Sequence, residues 1–190
     1  MRVVHIKNPE QREACLARLC AEAYGQEAGL APLATFAGVL GVLFEQEAAR
    51  LLALVDDESR PLALALLALD EAGQGMTVMQ LADLSREAVA APGLRLVGEL
   101  ALRAPLRVDA ASADEEARFR EAGIDRWFSG RDGVRIGLSK RHPATGVQDL
   151  PRTLTLDERS IVQSFKRDRA AFEDYKQRFV RGLERFPATL

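Results

Sequence analysis

Two features near the middle of this 190-residue chain could do chemistry. The first is Asp83, which closes an apolar run reading Met76-Thr77-Val78-Met79-Gln80-Leu81-Ala82. A carboxylate late on a strand is a group that can take part in acid–base chemistry. The second is the turn that follows, Arg86-Glu87-Ala88-Val89-Ala90-Ala91, which leads into a helix expected over Pro92 to Ala104. The first N–H groups of a helix have no partner inside it and carry the positive end of its dipole. Such a turn can hold a phosphate, and Arg86 would add charge. Each feature also has an ordinary reading: a solvated carboxylate, a surface arginine, and a helix terminus that binds nothing.

Other reactive groups are sparse. His5 lies on the first strand and His142 precedes Pro143, with no cysteine spaced as a ligand beside either, so no metal site is expected. Neither a Gly-x-Ser-x-Gly elbow nor a Walker motif occurs. Cys15 and Cys20 share one helix, about 7.5 Å apart along its axis and on different faces. They read as small buried apolar residues rather than a disulfide.

The surrounding pattern supplies the elements that must position these groups. Leu94, Val97, Leu100, Ala101 and Ala104 form one helical stripe, and Leu106, Val108 and Ala110 alternate as a strand, so 76–110 reads as a βαβ unit. Upstream lies a strand over residues 2–7. A helix capped by Asn8, with Pro9 at its first position, runs to Tyr24, with Leu16, Leu19, Cys20 and Ala23 inward. A second helix spans about Thr35 to Ala49. Leu51–Val55, Leu62–Leu69 and the run from Met76 form an antiparallel meander, although their Leu and Ala content is poor strand chemistry. Downstream, Ser112-Ala113-Asp114-Glu115 is a capping box opening a helix that ends at Gly123. Val134, Ile136 and Leu138 alternate as a last strand.

Residues 1–140 read as one domain, 141–154 as a linker with Pro143, Gly146 and Pro151, and 155–190 as a C-terminal amphipathic helix. On that helix Phe165, Phe172, Phe179 and Phe186 fall seven apart. This seam either packs back on the domain or meets a partner chain, a homodimer being the form considered. A membrane surface is the weaker third destination. Net charge is −2, which gives no case for nucleic acid. No apolar run approaches the roughly 20 residues of a membrane span, and no signal segment opens the chain, so a soluble cytoplasmic protein is expected.

The element order over residues 1–140, together with Val108-Asp109-Ala110-Ala111-Ser112-Ala113-Asp114-Glu115-Glu116-Ala117-Arg118-Phe119-Arg120-Glu121-Ala122-Gly123-Ile124, resembles the GNAT superfamily of acyl-CoA-dependent N-acyltransferases. The resemblance implies an α/β fold: a mixed, mostly antiparallel sheet flanked by helices, with the C-terminal helix added. It implies direct transfer from acetyl-CoA or another acyl-CoA to an amine, of small-molecule or peptide kind. The pyrophosphate would lie on the Arg/Gln-x-x-Gly-x-Gly/Ala turn, here Arg86, Ala88, Val89, Ala90 and Ala91. An oxyanion donor would come from the strand backbone near Leu81–Leu84, and Asp83 would act as base through water, with Glu71 a weaker candidate. Asp114 stands where an Asn usually contacts the pantetheine arm.

The family's pattern is departed from at three positions. Val89 replaces the first glycine, Asp114 replaces the Asn, and Phe119 replaces a frequent tyrosine acid. The loop is therefore degenerate, and two readings stay open: an N-acyltransferase, or a catalytically inactive GNAT-fold binding or assembly module.

Overall fold

The computed structural model describes residues 1–25, 28–85 and 87–190. The chain builds one seven-stranded sheet in the order β1-β2-β3-β4-β5-β7-β6. Its strands are β1 (Arg2–His5), β2 (Ala49–Val55), β3 (Pro61–Leu69), β4 (Met76–Asp83), β5 (Leu106–Ala110), β6 (Arg126–Ser129) and β7 (Arg135–Leu138). Its helices are α1 (Pro9–Tyr24), α2 (Ala31–Gly38), α3 (Pro92–Arg103), α4 (Ala113–Glu121), α5 (Glu158–Arg167) and α6 (Arg169–Glu184). All strand pairs are antiparallel except β4 with β5, which α3 connects as a crossover.

The meander β2-β3-β4 forms as its hydrophobicity requires, and β3 explains its composition. Helices cover both faces of the sheet. Leu64 and Leu66 face a core made with α1 and α2, while Ala63, Ala65 and Leu67 face a second core under α3. A strand buried on both sides reads as a continuous apolar run, and packing rather than β-propensity decides its state.

Local signals set the helix starts. Asn8 Oδ1 accepts from Gln11 N at 3.0 Å, with Pro9 in the first turn of α1. Ser112 Oγ accepts from Glu115 N, and Glu115 reaches back to Ala111 N at 2.8 Å.

Four expectations are corrected. The second helix starts at Ala31 and passes into a π-helical turn over Val39–Leu43, and Ala49 already belongs to β2. Packing of Phe36, Val39 and Leu43 in the core holds this wider turn, which a 3.6-residue period does not foresee. Ala23 is exposed, and Cys15 takes the inward position instead. Arg126–Ser129 is a strand, paired with β7. Its apolar pair is too short for a period of two to be read. Finally, the C-terminal segment is two helices. The break falls at Asp168, whose side chain accepts from Ala171 N at 3.0 Å while its own N–H bonds Ser164 O. Asp168 is thus the end of α5 and the N-cap of α6.

The phenylalanine seam packs on α1 and α2 of the same chain. Phe179 meets Phe36 edge-on with ring centroids 5.2 Å apart, and Phe165 meets Phe172 at 5.5 Å. Arg178 holds Glu13 through two hydrogen bonds of 3.0 and 2.8 Å. Gly182 lets α6 lie close to α1, because a Cβ there would come within 2.8 Å of Ala17 Cβ. Residues 141–154, which lead to α5, are bonded to the sheet along their length. The Arg126 guanidinium donates to the carbonyls of Ser139, His142 and Ala144, Arg152 O accepts from Glu71 N, and Leu154 N donates to Leu69 O.

Two outcomes follow from this packing. Ala17 has no rotamer with which to yield, so Gly182→Val should lower unfolding stability by about 2 kcal/mol, read from urea midpoints. His142 is buried, and its Nδ1 accepts from Ala144 N at 3.2 Å. Burial first, then Arg126 and Arg107, lower its pKa below 6.5, against an opposing effect of Asp70. The unfolded chain therefore binds the proton more readily, and this stability is complete above pH 6.5 and is lost as pH falls below it. Urea midpoints should drop between pH 7.5 and 5.5, and less so for His142→Asn.

Candidate functional site

The sheet opens where β4 and β5 part. They pair only at Met76 with Leu106 and Thr77 with Arg107, so Val78 to Asp83 has no partner strand on the β5 side. On the β3 side the register steps from Leu66–Gln80 to Leu67–Val78, which leaves Met79 as the extra residue of a bulge. Bulges re-aim a strand and often lie beside sites. Between the parted strands is a cleft of about 590 Å³. Val78 to Asp83 forms one wall, Leu94 of α3 and Arg118 and Phe119 of α4 another, and Glu22 and Tyr24 of α1 a third.

Four of the five charged residues in this lining are carboxylates, and each is held. Glu22 pairs with Arg18 at 2.8 Å and Asp109 with Arg107 at 2.7 Å. Glu115 takes the Ala111 N–H, as described above, and Asp83 Oδ1 accepts from Gly93 N at 2.7 Å. The last contact matters most. Ala91, the residue before α3, is in the left-handed region at φ 46°, ψ 58° and makes no side-chain cap. Pro92 has no N–H. Asp83 therefore caps α3 from across the turn, and its negative charge lies at the positive end of the helix.

The expected site residues distribute as follows. Asp83 lines the cleft. Leu84 follows β4, but its N–H donates to Leu62 O at 2.8 Å, as does that of Ser85 at 3.3 Å. That N–H is already engaged by β3 and is not presented as an oxyanion donor. Arg86 lies outside the described residues. Ala88 and Ala90 are exposed, and Val89 is half-buried. Ala90 and Ala91 line a shallow groove between α3 and α4 rather than the cleft. Asp114 is exposed in the first turn of α4 and is not in the cleft lining, whereas Glu115, Arg118 and Phe119 are. Glu71 lies at the far end of β4 from Asp83, with its N–H on Arg152 O. Among the described residues no group of three His, Cys, Asp or Glu could hold a metal ion. Burial pushes the thiols of Cys15 and Cys20 up to about 12, so neither is a thiolate nucleophile at neutral pH.

Similar architectures occur among solved structures. An aminoglycoside 6'-acetyltransferase type Ii matches with a TM-score of 0.53 and 14% identity, over 76% of this chain and 99% of its own. A histone acetyltransferase HPA2 and related acetyltransferase from Corynebacterium glutamicum matches at 0.52 and 13%, over 81% and 98%. A spermidine N-acetyltransferase SpeG chimera from Vibrio cholerae and hSSAT matches at 0.50 and 10%, over 74% and 96%. The chain has the GNAT fold. No protein-family model matches the sequence, and no curated protein matches it by sequence.

Within this GNAT fold, the groups that periodicity and motif reading missed are Tyr24, Gln80 and Glu158. Tyr24 reads in sequence as the last residue of a helix, and Glu158 as a residue near the start of a segment, 155–190, outside the family resemblance. Yet Tyr24 Oη and Glu158 Oε1 are 2.7 Å apart. Burial, the largest cause, pushes the Tyr24 phenol up to about 12, with Thr35 opposing and Glu158 reinforcing. The phenol keeps its proton throughout the physiological range.

Removing the Asp83 carboxylate should release the first turn of α3. Asp83→Ala is expected to cost about 1 kcal/mol or more of unfolding stability, as other helix caps do. Hydrogen exchange should show faster exchange at Gly93 than in the wild-type chain.

Proposed function

We propose that this chain is an acyl-CoA-dependent N-acyltransferase that transfers an acyl group directly to an amine. The observation that carries this reading is the parting of β4 from β5 at the Met79 bulge, with a cleft between them. The solved acetyltransferases of similar fold agree with it. In such a reaction the amine nitrogen attacks the thioester carbonyl, the C–S bond breaks, and the thiolate leaves. The proton lost by the amine goes to solvent or to a carboxylate of the cleft through water, and the thiolate regains a proton. Leu94, Val78 and Phe119 offer apolar wall to an acyl and pantetheine chain, and Arg118 is a cation beside it. We place Asp83 first as a cap of α3 and only second as a base.

A second reading, a GNAT-fold module without catalysis, is favoured by one observation. Gly93 N–H, which would face a pyrophosphate at the α3 terminus, is already engaged by Asp83. With Pro92 lacking an N–H and a β-branched Val89 in the turn, the cradle offers a phosphate little. Phosphate and carboxylate would compete for the same terminus.

Calorimetric titration of the chain with acetyl-CoA and with free CoA separates the readings. The acyltransferase reading expects saturable binding, strengthened severalfold in Asp83→Asn and Val89→Gly, and thiol release with an amine acceptor. No binding at millimolar ligand by any of the three proteins would leave the non-catalytic reading.

A further inference from the structure

Behind the Met79 bulge lies a second cavity of about 290 Å³, which shares Tyr24, Met79 and Gln80 with the main cleft as a common wall. Its floor is apolar, from Leu43, Leu66 and Leu156. Five polar residues line it: Tyr24 of α1, Thr35 of α2, Gln80 of β4, Thr155 just before α5, and Glu158 of α5. Glu158 belongs to the C-terminal helix pair, outside the segment that resembles the family.

The hydrogen bonds in this chamber count out unevenly. Tyr24 Oη and Thr35 Oγ1 lie 2.7 and 2.9 Å from Glu158 Oε1, and 2.8 Å from each other. Two hydroxyl hydrogens thus serve three contacts, two to the carboxylate oxygen and one between the hydroxyls. Gln80 Oε1 is buried and has no hydrogen-bond partner among the described residues. A buried acceptor without a donor costs about 1–3 kcal/mol, and this one belongs to a residue that borders the same space as the Glu158 carboxylate, so the chamber suits a ligand rich in N–H groups. A primary ammonium carries three donors and a positive charge for Glu158, and its alkyl stem suits the leucine floor.

We propose that this chamber is the seat of a primary alkylammonium group, held by Glu158 and Gln80, so that the added C-terminal helices complete the acceptor side of the site. The inference deepens the acyltransferase reading and rests on it for the fate of the amine, while the binding can be measured without any acyl donor. Thr35 is 4% exposed and fixes the orientation of Glu158 from α2. The shared wall at Tyr24, Met79 and Gln80 puts the ammonium next to the parted strands, where the main cleft begins. A polyamine would fit the pair of cavities best, one amine in the chamber and the rest of its charge along the carboxylate-lined cleft.

The test is calorimetric titration of the full chain with spermidine, without CoA, beside a separate titration with acetyl-CoA. Glu158→Gln keeps an oxygen for Tyr24 and Thr35 but removes the charge, and Gln80→Met removes the unpartnered acceptor with little change in volume. Spermidine should bind the wild-type chain saturably, at least tenfold more weakly to Glu158→Gln and severalfold more weakly to Gln80→Met, with melting temperatures confirming folded variants. Equal affinity in folded Glu158→Gln would overturn the proposal. If that variant fails to fold, equal affinity in Gln80→Met would do the same. Acetyl-CoA binding without spermidine binding would also overturn it and leave the acyltransferase reading standing. Glu158-dependent spermidine binding without acetyl-CoA binding would keep the chamber and remove the acyltransferase reading.

Discussion

The parting of β4 from β5 is the constraint on which the rest of the architecture depends. Two residues of parallel pairing hold the strands together, and six residues of β4 then run on without that neighbour. Backbone N–H and C=O groups do not remain unpaired in a dry interior. A parted strand must therefore face either water or a ligand, and the cleft is the consequence. The βαβ crossover through α3 sets the width of the opening, because α3 packs under β2 and β3 on one side while α4 leans on β5. The bulge at Met79 turns the strand further at the place where the two cavities meet.

The C-terminal helices complete the opposite face of the sheet. Without α5 and α6, Phe36 and the outward side of α1 would expose a broad apolar surface, and the seam supplies the rings that cover it. The same packing delivers Glu158 at the first turn of α5, within hydrogen-bond distance of α1 and α2. Covering the core and furnishing the chamber are thus one structural act. Residues 141–154 make it possible by running beside the ends of β3 and β4, fixed by Arg126 and by backbone bonds.

Electrostatics give the cleft its character. A helix N-terminus beside a parted sheet is a ready place for an anion. Here a carboxylate of the chain itself sits there, and other carboxylates line the walls with their own partners. The chain therefore satisfies the α3 dipole internally. The same opening becomes friendlier to cations on its α1 side, where Tyr24 stays neutral and Glu158 has two hydroxyls turned toward it.

Much of the fold was legible in the sequence because it rests on short-range chemistry. Asn8 and Ser112 mark helix starts, Pro92 begins α3, and alternating or continuous apolar runs mark β2 to β5. The order of these elements carries the resemblance to the GNAT fold. Less of the site was legible. Asp83 was visible as a strand-end carboxylate, but its bond to Gly93, ten residues on, depends on how the turn folds. Ala91 gives no sign in sequence that it will adopt a left-handed conformation. The π turn at Val39–Leu43 and the short strand at Arg126 arise from packing and pairing that no local period encodes. Glu158 and Tyr24 are 134 residues apart in the chain and touch only because the phenylalanine seam docks on α1 and α2. The sequence alone determined which segments become helices and strands and which face each must bury, since propensity, capping and periodicity are local. Which polar groups share a cavity was decided by the tertiary structure, because only the packing of distant elements brings their side chains within hydrogen-bond reach.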